Sequence, residues 1–285
     1  MSPNPSRLTA HDVSVLSKIA DPDSSPVPPP LISSCLPPDP NIPSSLYGQV
    51  ASRERAIIAS IQTTELQAAN LQPSPPDFNP LEEYLARIAQ LDDLVAAHPN
   101  YASARNNRAQ ALRRVYGDEI LVANPPLAAP ASPSTSTPTS ASQQGAGQAL
   151  APSPLPAAVT LSAAAKILTD LSTAITLLAP ASPYQPLSPQ AAKTLAQAHT
   201  QRGALYHVTA RALAVAGAEL RVAEDAREHG WSALRFAEEA SRDFAAGGRF
   251  GSEVARGLAV GVNPTAKLCG EMVREALRME YAGTG

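Results

Sequence analysis

The placement of proline constrains this chain more than any other feature. Pro accounts for 29 of the 285 residues, about twice the ordinary share, and the prolines fall in blocks. Inside a helix, proline removes a backbone donor and clashes with the preceding turn; inside a central strand it breaks the ladder. The run "PDSSPVPPPLISSCLPPDPNIPSS" can therefore be neither, and residues 22–50 read as a Pro-rich linker. Residues 122–159 are almost wholly Ala, Pro, Ser, Thr, Gln and Gly. That composition buries too little apolar surface to offset the entropy of ordering. With the turn before it, 118–159 reads as a disordered Ala/Pro/Ser insertion.

The segments between these blocks read as helices. Apolar residues make up 44% of the chain, much of it alanine, and aromatics only 4%. An Ala/Leu core suits close-packed helices better than sheets, whose strands favour β-branched and aromatic residues. Within residues 1–21, the stretch 8–20 places Val13, Leu16, and Ile19 or Ala20 on one face of a short amphipathic helix. Residues 51–71 follow helical spacing through Ile57, Ile61 and Ala68. Asn79-Pro80-Leu81-Glu82 is a start signal, with Asn as N-cap, Pro in the first turn and Glu at the capping-box position. The helix it opens is expected to bury Leu81, Leu85, Ile88 and Leu91, and Pro99 closes it. The stretch Tyr101 to Asp118 reads as a helix ending at Gly117, and another covers 161–179.

Ser188-Pro189 opens a helix expected to reach about residue 228. The next, 231–246, carries Trp231, Leu234, Ala237 and Phe244, and Gly247-Gly248 is expected to break it. After a short helix at 252–261, Asn263-Pro264 starts a last one with Leu268 and Met272 as packing residues. No alternating run or hairpin turn marks a strand. The expectation is an all-α solenoid of about three helix pairs plus a C-terminal helix, built from 51–117 and 160–285.

Composition also limits function. The net charge is −3 and the pI about 6.0, without a basic block, which argues against a nucleic-acid or anionic-membrane partner. Cys35 and Cys269 form no CxxC and have no His pair at ligand spacing, so neither a zinc site nor a disulfide framework is expected. The N-terminus has no apolar run, and no stretch approaches a membrane span of about 20 apolar residues; cytosol or nucleus is the expected location. The five histidines are scattered. "AAGGRFG" (245–251) lacks the Lys-Ser/Thr of a phosphate loop. Neither catalysis nor a metal or cofactor is expected.

Helix pairs in series are the mark of an α-solenoid, and a tetratricopeptide repeat uses about 34 residues for two antiparallel helices with small residues where they cross. Pro99 and Pro180 close two such units, and Ala109 and Ala204 stand at small-residue positions. Arg105 occupies the usual Trp position of the repeat. Four stretches sharpen the likeness: "HDVSVLSKIADPDSSP" (11–26), "ASARNNRAQALRRVYGD" (102–118), "AAKTLAQAHTQRG" (191–203) and "RDFAAGGRFGSEVARGLAVGVNPTAKLC" (242–269). Together they make about a quarter of the chain, and the sequence resembles the tetratricopeptide repeat protein 36 family in all four, in the same order. The chain departs from that pattern in the linker, the insertion and extra residues near 214–230; long low-complexity insertions suit a fungal member. The resemblance implies a three-repeat, non-catalytic, protein-binding domain. It also implies links to heat-shock protein 70 or, as in animals, to tyrosine metabolism.

Asn106 and Asn107 are poor mid-helix residues, because their amides compete with the backbone for hydrogen bonds. In chaperone-binding repeat proteins, the first helices of successive pairs line a groove, where an Asn with Lys and Arg grips a partner's C-terminal carboxylate. By resemblance Asn107 occupies the Asn place and Arg202 the Arg place. The expected Lys is Ala198, so the clamp is incomplete. Asn106, Asn107, Gln110, Arg113, Gln201 and Arg202 are the candidate groove residues for a protein partner, either an Hsp70-type chaperone or a metabolic enzyme. The competing reading of Asn107 is structural, as a tie between adjacent helices. From a different class, an enzyme or small-molecule binder would use an enclosed helical pocket; no nucleophile–base pair supports it.

Overall fold

A computed structural model describes residues 29–123, 149–151, 155–215, 217–264, and 272, 274, 275 and 278. The helix expected over 8–20, the body of the insertion, and Leu268 and Cys269 lie outside the described residues. Among those described, the chain is all-α, with seven helices in solenoid-like succession. They are α1 (Ser44–Ala68), α2 (Pro80–Ala97), α3 (Ala102–Tyr116), α4 (Ala157–Leu178), α5 (Pro189–Leu213), α6 (Ala233–Arg249) and α7 (Glu253–Gly261). Each packs on the next, with the α5–α6 contact the most extensive, and α3 also touches α5.

The start signals act as expected. Asn79 Oδ1 accepts the Leu81 N–H at 3.1 Å, and Ser188 Oγ accepts that of Ala191 at 3.1 Å, with proline in each first turn. The seams are lined by small and branched residues. Leu91, Leu94, Ala104, Ala109, Ala164, Leu171, Leu195, Ala198 and Leu205 are all fully buried. An aromatic knot of Tyr206, Trp231 and Phe236, with ring centroids 5.2–5.6 Å apart, closes the α5–α6 pair. Three expected packing residues stand outside the core: Leu85, Leu234 and Met272 are exposed. In α2 the buried stripe is Tyr84, Ile88, Leu91, Leu94 and Val95, which turns Leu85 outward.

Several boundaries differ from the sequence reading. Helix α1 begins at Ser44, inside the expected linker, and ends at Ala68, with Asn70 in the left-handed region at φ 55°. The Pro-rich stretch before it is a docked strap. The Leu187 N–H donates to Leu31 O and the Ser33 N–H to Leu187 O, each at 2.8 Å. Ser188 Oγ donates to Pro38 O at 2.7 Å and Asn41 Nδ2 to Leu177 O at 3.0 Å. Proline lacks a donor but keeps its carbonyl, so such a chain can still be tied down by donors from elsewhere.

Helix α5 ends at Leu213, well short of 228. The residues that follow turn back and form a two-residue strand, β2 (Glu219–Leu220), antiparallel to β1 (Val122–Ala123). No strand was expected; this pair joins the start of the insertion to the extra residues after α5. Arg221 holds the junction, its N–H on Leu121 O and its Nη2 on Val122 O, both at 2.7 Å.

Gly247-Gly248 does not break α6, which runs on to Arg249. A Cβ on Gly247 would lie 2.9 Å from Thr200 Oγ1, and one on Gly248 would lie 2.9 Å from the Arg256 Cα. The glycines serve close approach of α5 and α7, which their sequence context alone did not reveal. The range Ala157–Leu178 is long and apolar enough to cross a membrane by length and composition, contrary to expectation. Ala164, Ile167, Leu171 and Ala174 on its inner side are fully buried within the solenoid.

Candidate functional site

The first helices of the pairs, α1, α3 and α5, are linked by side-chain hydrogen bonds, and the candidate residues lie along these links. Spacing i, i+4, i+7 puts Asn106, Gln110 and Arg113 on one face of α3. Asn106, almost fully buried, accepts from Gln201 Nε2 at 2.9 Å. Its own Nδ2 reaches Gln197 Oε1 on α5 at 3.4 Å. Arg113 reaches Gln201 Oε1 at 3.4 Å and fixes Asp118 through Nε at 2.8 Å. Asn106, Gln201 and Arg113 thus form one polar strip across the α3–α5 seam. Gln110 and Gln197 are exposed beside it.

Asn107 and Arg202 do not face that strip. Asn107 Nδ2 donates to Glu54 Oε1 on α1 at 2.7 Å, and Tyr101 Oη donates to the other oxygen of the same carboxylate. Arg202, on α5, turns toward α6. Its Nε and Nη2 hold the two oxygens of Asp243 at 2.7 and 2.8 Å, and its Nη1 reaches Ser172 Oγ at 3.2 Å. His199 Nδ1 lies 2.8 Å from the same carboxylate. The two residues assigned to a carboxylate clamp by resemblance are therefore corrected to ties between neighbouring helices. Their donors are engaged by internal acids.

The acids that engage them were not singled out from sequence. Glu54 stands in "SRERA" (52–56), where a charged residue at helical spacing reads as solvated. It is 6% exposed and Asp39, on the strap, 4%. Burial raises the Glu54 carboxyl above its ordinary range, and the hydrogen bonds from Tyr101, Ser103 and Asn107 only partly offset it. Asp39 is raised by burial as well. Glu65 behaves oppositely: burial pushes it up, but Arg114 and Tyr84 outweigh that and hold it low. Among the described residues, neither Glu54 nor Asp39 hydrogen-bonds a cation.

This arrangement gives a signed expectation. A carboxyl raised in the folded state contributes stability that is complete below its unfolded pKa and lost as pH rises through the folded one. Glu54→Gln keeps an acceptor for Asn107 and can donate to Tyr101 Oη. The substitution is expected to stabilise the protein by about 1 kcal/mol at pH 7, the gain shrinking to nothing near pH 4. Urea unfolding at both pH values checks it; equal effects at both would show that Glu54 is ordinary.

No family model matches the chain, and no solved structure matches it. A curated relative does: the L-tyrosine degradation gene cluster protein hmgX of Aspergillus fumigatus is 32% identical over 286 residues, covering 99% of this chain and 97% of the relative. Similarity of that extent, running through both Pro-rich blocks and all the helices between them, cannot come from low-complexity sequence alone. The chain belongs to the family of this L-tyrosine degradation gene cluster protein.

Proposed function

We propose that this protein is a non-catalytic adaptor of tyrosine breakdown, a tetratricopeptide-repeat-like solenoid of the repeat protein 36 type acting in the cytosol. It binds an extended segment of a partner protein along α1, α3 and α5. The observation that carries the reading is the pair of exposed amides, Gln110 and Gln197, beside partly exposed Gln201 and Arg113; Asn106, almost fully buried, ties α3 to α5 beneath them. Amide side chains both donate and accept, which suits the main chain of a bound segment. The relative's name supplies the link to tyrosine degradation. A metabolic enzyme of that route is favoured over the acidic tail of an Hsp70-type chaperone, because Asn107 and Arg202 are engaged by Glu54 and Asp243.

The test has two arms. Deletion of the gene is expected to impair growth on L-tyrosine as sole carbon source. Each tyrosine-degrading enzyme of the same organism, expressed separately, is passed over the immobilised full chain. One is expected to bind, and Gln110→Arg/Gln197→Arg, at exposed positions, is expected to weaken that binding at least about tenfold through steric and charge mismatch. Normal growth with no enzyme retained would overturn the proposal.

A further inference from the structure

At the first end of the solenoid, α1 and α2 leave an open cleft of about 370 Å³ lined by Arg53, Ala56, Ile57, Ser60, Arg87 and Gln90. Its charge is unbalanced. Arg53 is exposed, and no hydrogen bond or ion pair among the described residues uses its guanidinium. Arg87 gives Nη2 to Glu83 at 3.0 Å, while its Nε is buried without an acceptor. Out of reach of water, that Nε is out of reach of a bound ion too; what Arg87 offers the cleft is the accessible part of a side chain that is 24% exposed.

The other charges nearby do not neutralise the cleft. Glu54, next in sequence to Arg53, is turned inward to Tyr101 and Asn107, and Arg55 is tied to Ala51 O. Two guanidiniums therefore face one carboxylate, that of Glu83, leaving about one positive charge over. Ser60 Oγ donates to Ala56 O at 3.1 Å, so toward the cleft it can only accept. Gln90 retains an amide that can donate. Ala56 and Ile57 give the cleft an apolar side.

We infer that the α1–α2 cleft binds a small organic carboxylate, with Arg53 and Arg87 on the oxyanion, the Gln90 amide as a neutral donor, and the apolar body against Ala56 and Ile57. A surplus of one positive charge matches a monoanion, and guanidinium groups bind carboxylates through paired, charge-assisted hydrogen bonds. The apolar side separates this site from a simple anion trap. It uses no residue of the α3–α5 strip, so it stands or falls independently of the adaptor reading.

Calorimetric titration of the full chain tests it, with phenylacetate as the carboxylate probe, inorganic phosphate as a charge control and benzyl alcohol as a neutral one. Phenylacetate is expected to bind with Kd about 1 mM or tighter, and both controls at least about tenfold more weakly. Arg53→Gln and Arg87→Gln are each expected to weaken phenylacetate about tenfold or more, while Gln110→Arg/Gln197→Arg leaves it unchanged. No saturable heat, equal binding of phosphate, or unchanged affinity in the Arg variants would overturn the assignment. Arg53 is exposed and free of internal bonds, so its variant decides the matter even if the Arg87 variant unfolds.

Discussion

Asp243→Ala is expected to destabilise the fold by about 3–5 kcal/mol, the range for breaking a buried charge pair from one side. Asp243 is 4% exposed and Arg202 9%, and the carboxylate takes two bonds from the guanidinium and one contact from His199. Its removal leaves a buried cation between α5 and α6, the most extensively packed pair among the described helices. The double substitution Asp243→Leu/Arg202→Leu is expected to recover much of the loss, since an apolar pair of similar size often replaces a buried ion pair without penalty. Urea unfolding of the three proteins measures this. A loss below about 1 kcal/mol in Asp243→Ala would show the pair to be solvated.

The same site sets an acid limit on stability. Burial pushes the Asp243 carboxyl up, but Arg202 and His199 outweigh burial and hold it below the ordinary aspartate range. A depressed carboxyl contributes stability that is complete above its unfolded pKa and lost as pH falls through the folded one. Asp243 therefore opposes Glu54 and Asp39: acid relieves those two buried carboxyls while it weakens the α5–α6 pair and, at the far end of α1, the Glu65–Arg114 link.

The helices were legible because their signals are local. Asn79-Pro80 and Ser188-Pro189 cap helices whatever surrounds them, and the Ala/Leu periodicity marks which side of each rod is buried. The errors fall where a distant contact overrides a local preference. Gly247-Gly248 reads as a break until α5 and α7 are placed against it. The prolines of 29–43 read as a free linker until Leu187, Ser188 and Leu177 are seen to tie them down. The loop after α5 reads as further helix until β2 finds β1.

The candidate site divides in the same way. Asn106, Gln110 and Arg113 were candidates by residue type; on α3 their spacing puts them on one face, and Gln201 joins Asn106 and Arg113 across the seam. Resemblance placed Asn107 and Arg202 in a clamp by position, but position does not determine which acid a donor meets. Glu54 and Asp243 decide that, and neither belongs to the clamp motif. Arg53 and Arg87 were not legible at all, since α1 and α2 are separated by a turn and only their pairing brings the two guanidiniums to one cleft.

Asp170 should be the second most sensitive acid, for a different reason. It is 1% exposed and serves two arginines. One oxygen accepts from Arg105 Nη1 at 3.0 Å and Arg108 Nη2 at 2.7 Å, the other from Arg108 Nε at 2.7 Å. These bonds fasten α4 to α3 directly. Arg108 has a further partner in Asp92 at 2.7 Å, which Lys166 also approaches at 3.1 Å. Asp170→Ala is expected to cost about 3–5 kcal/mol, and Asp170→Asn roughly half as much, because the amide keeps one acceptor while losing the charge. Asp92→Ala, at a position whose side chain is 38% exposed, should cost no more than about 1 kcal/mol. That ordering separates buried charge from mere hydrogen-bond count. If Asp170→Asn proves as damaging as Asp170→Ala, the carboxylate charge itself holds α3 to α4; if it proves harmless, the acceptors alone do, and the energy assigned to the ion pair is wrong.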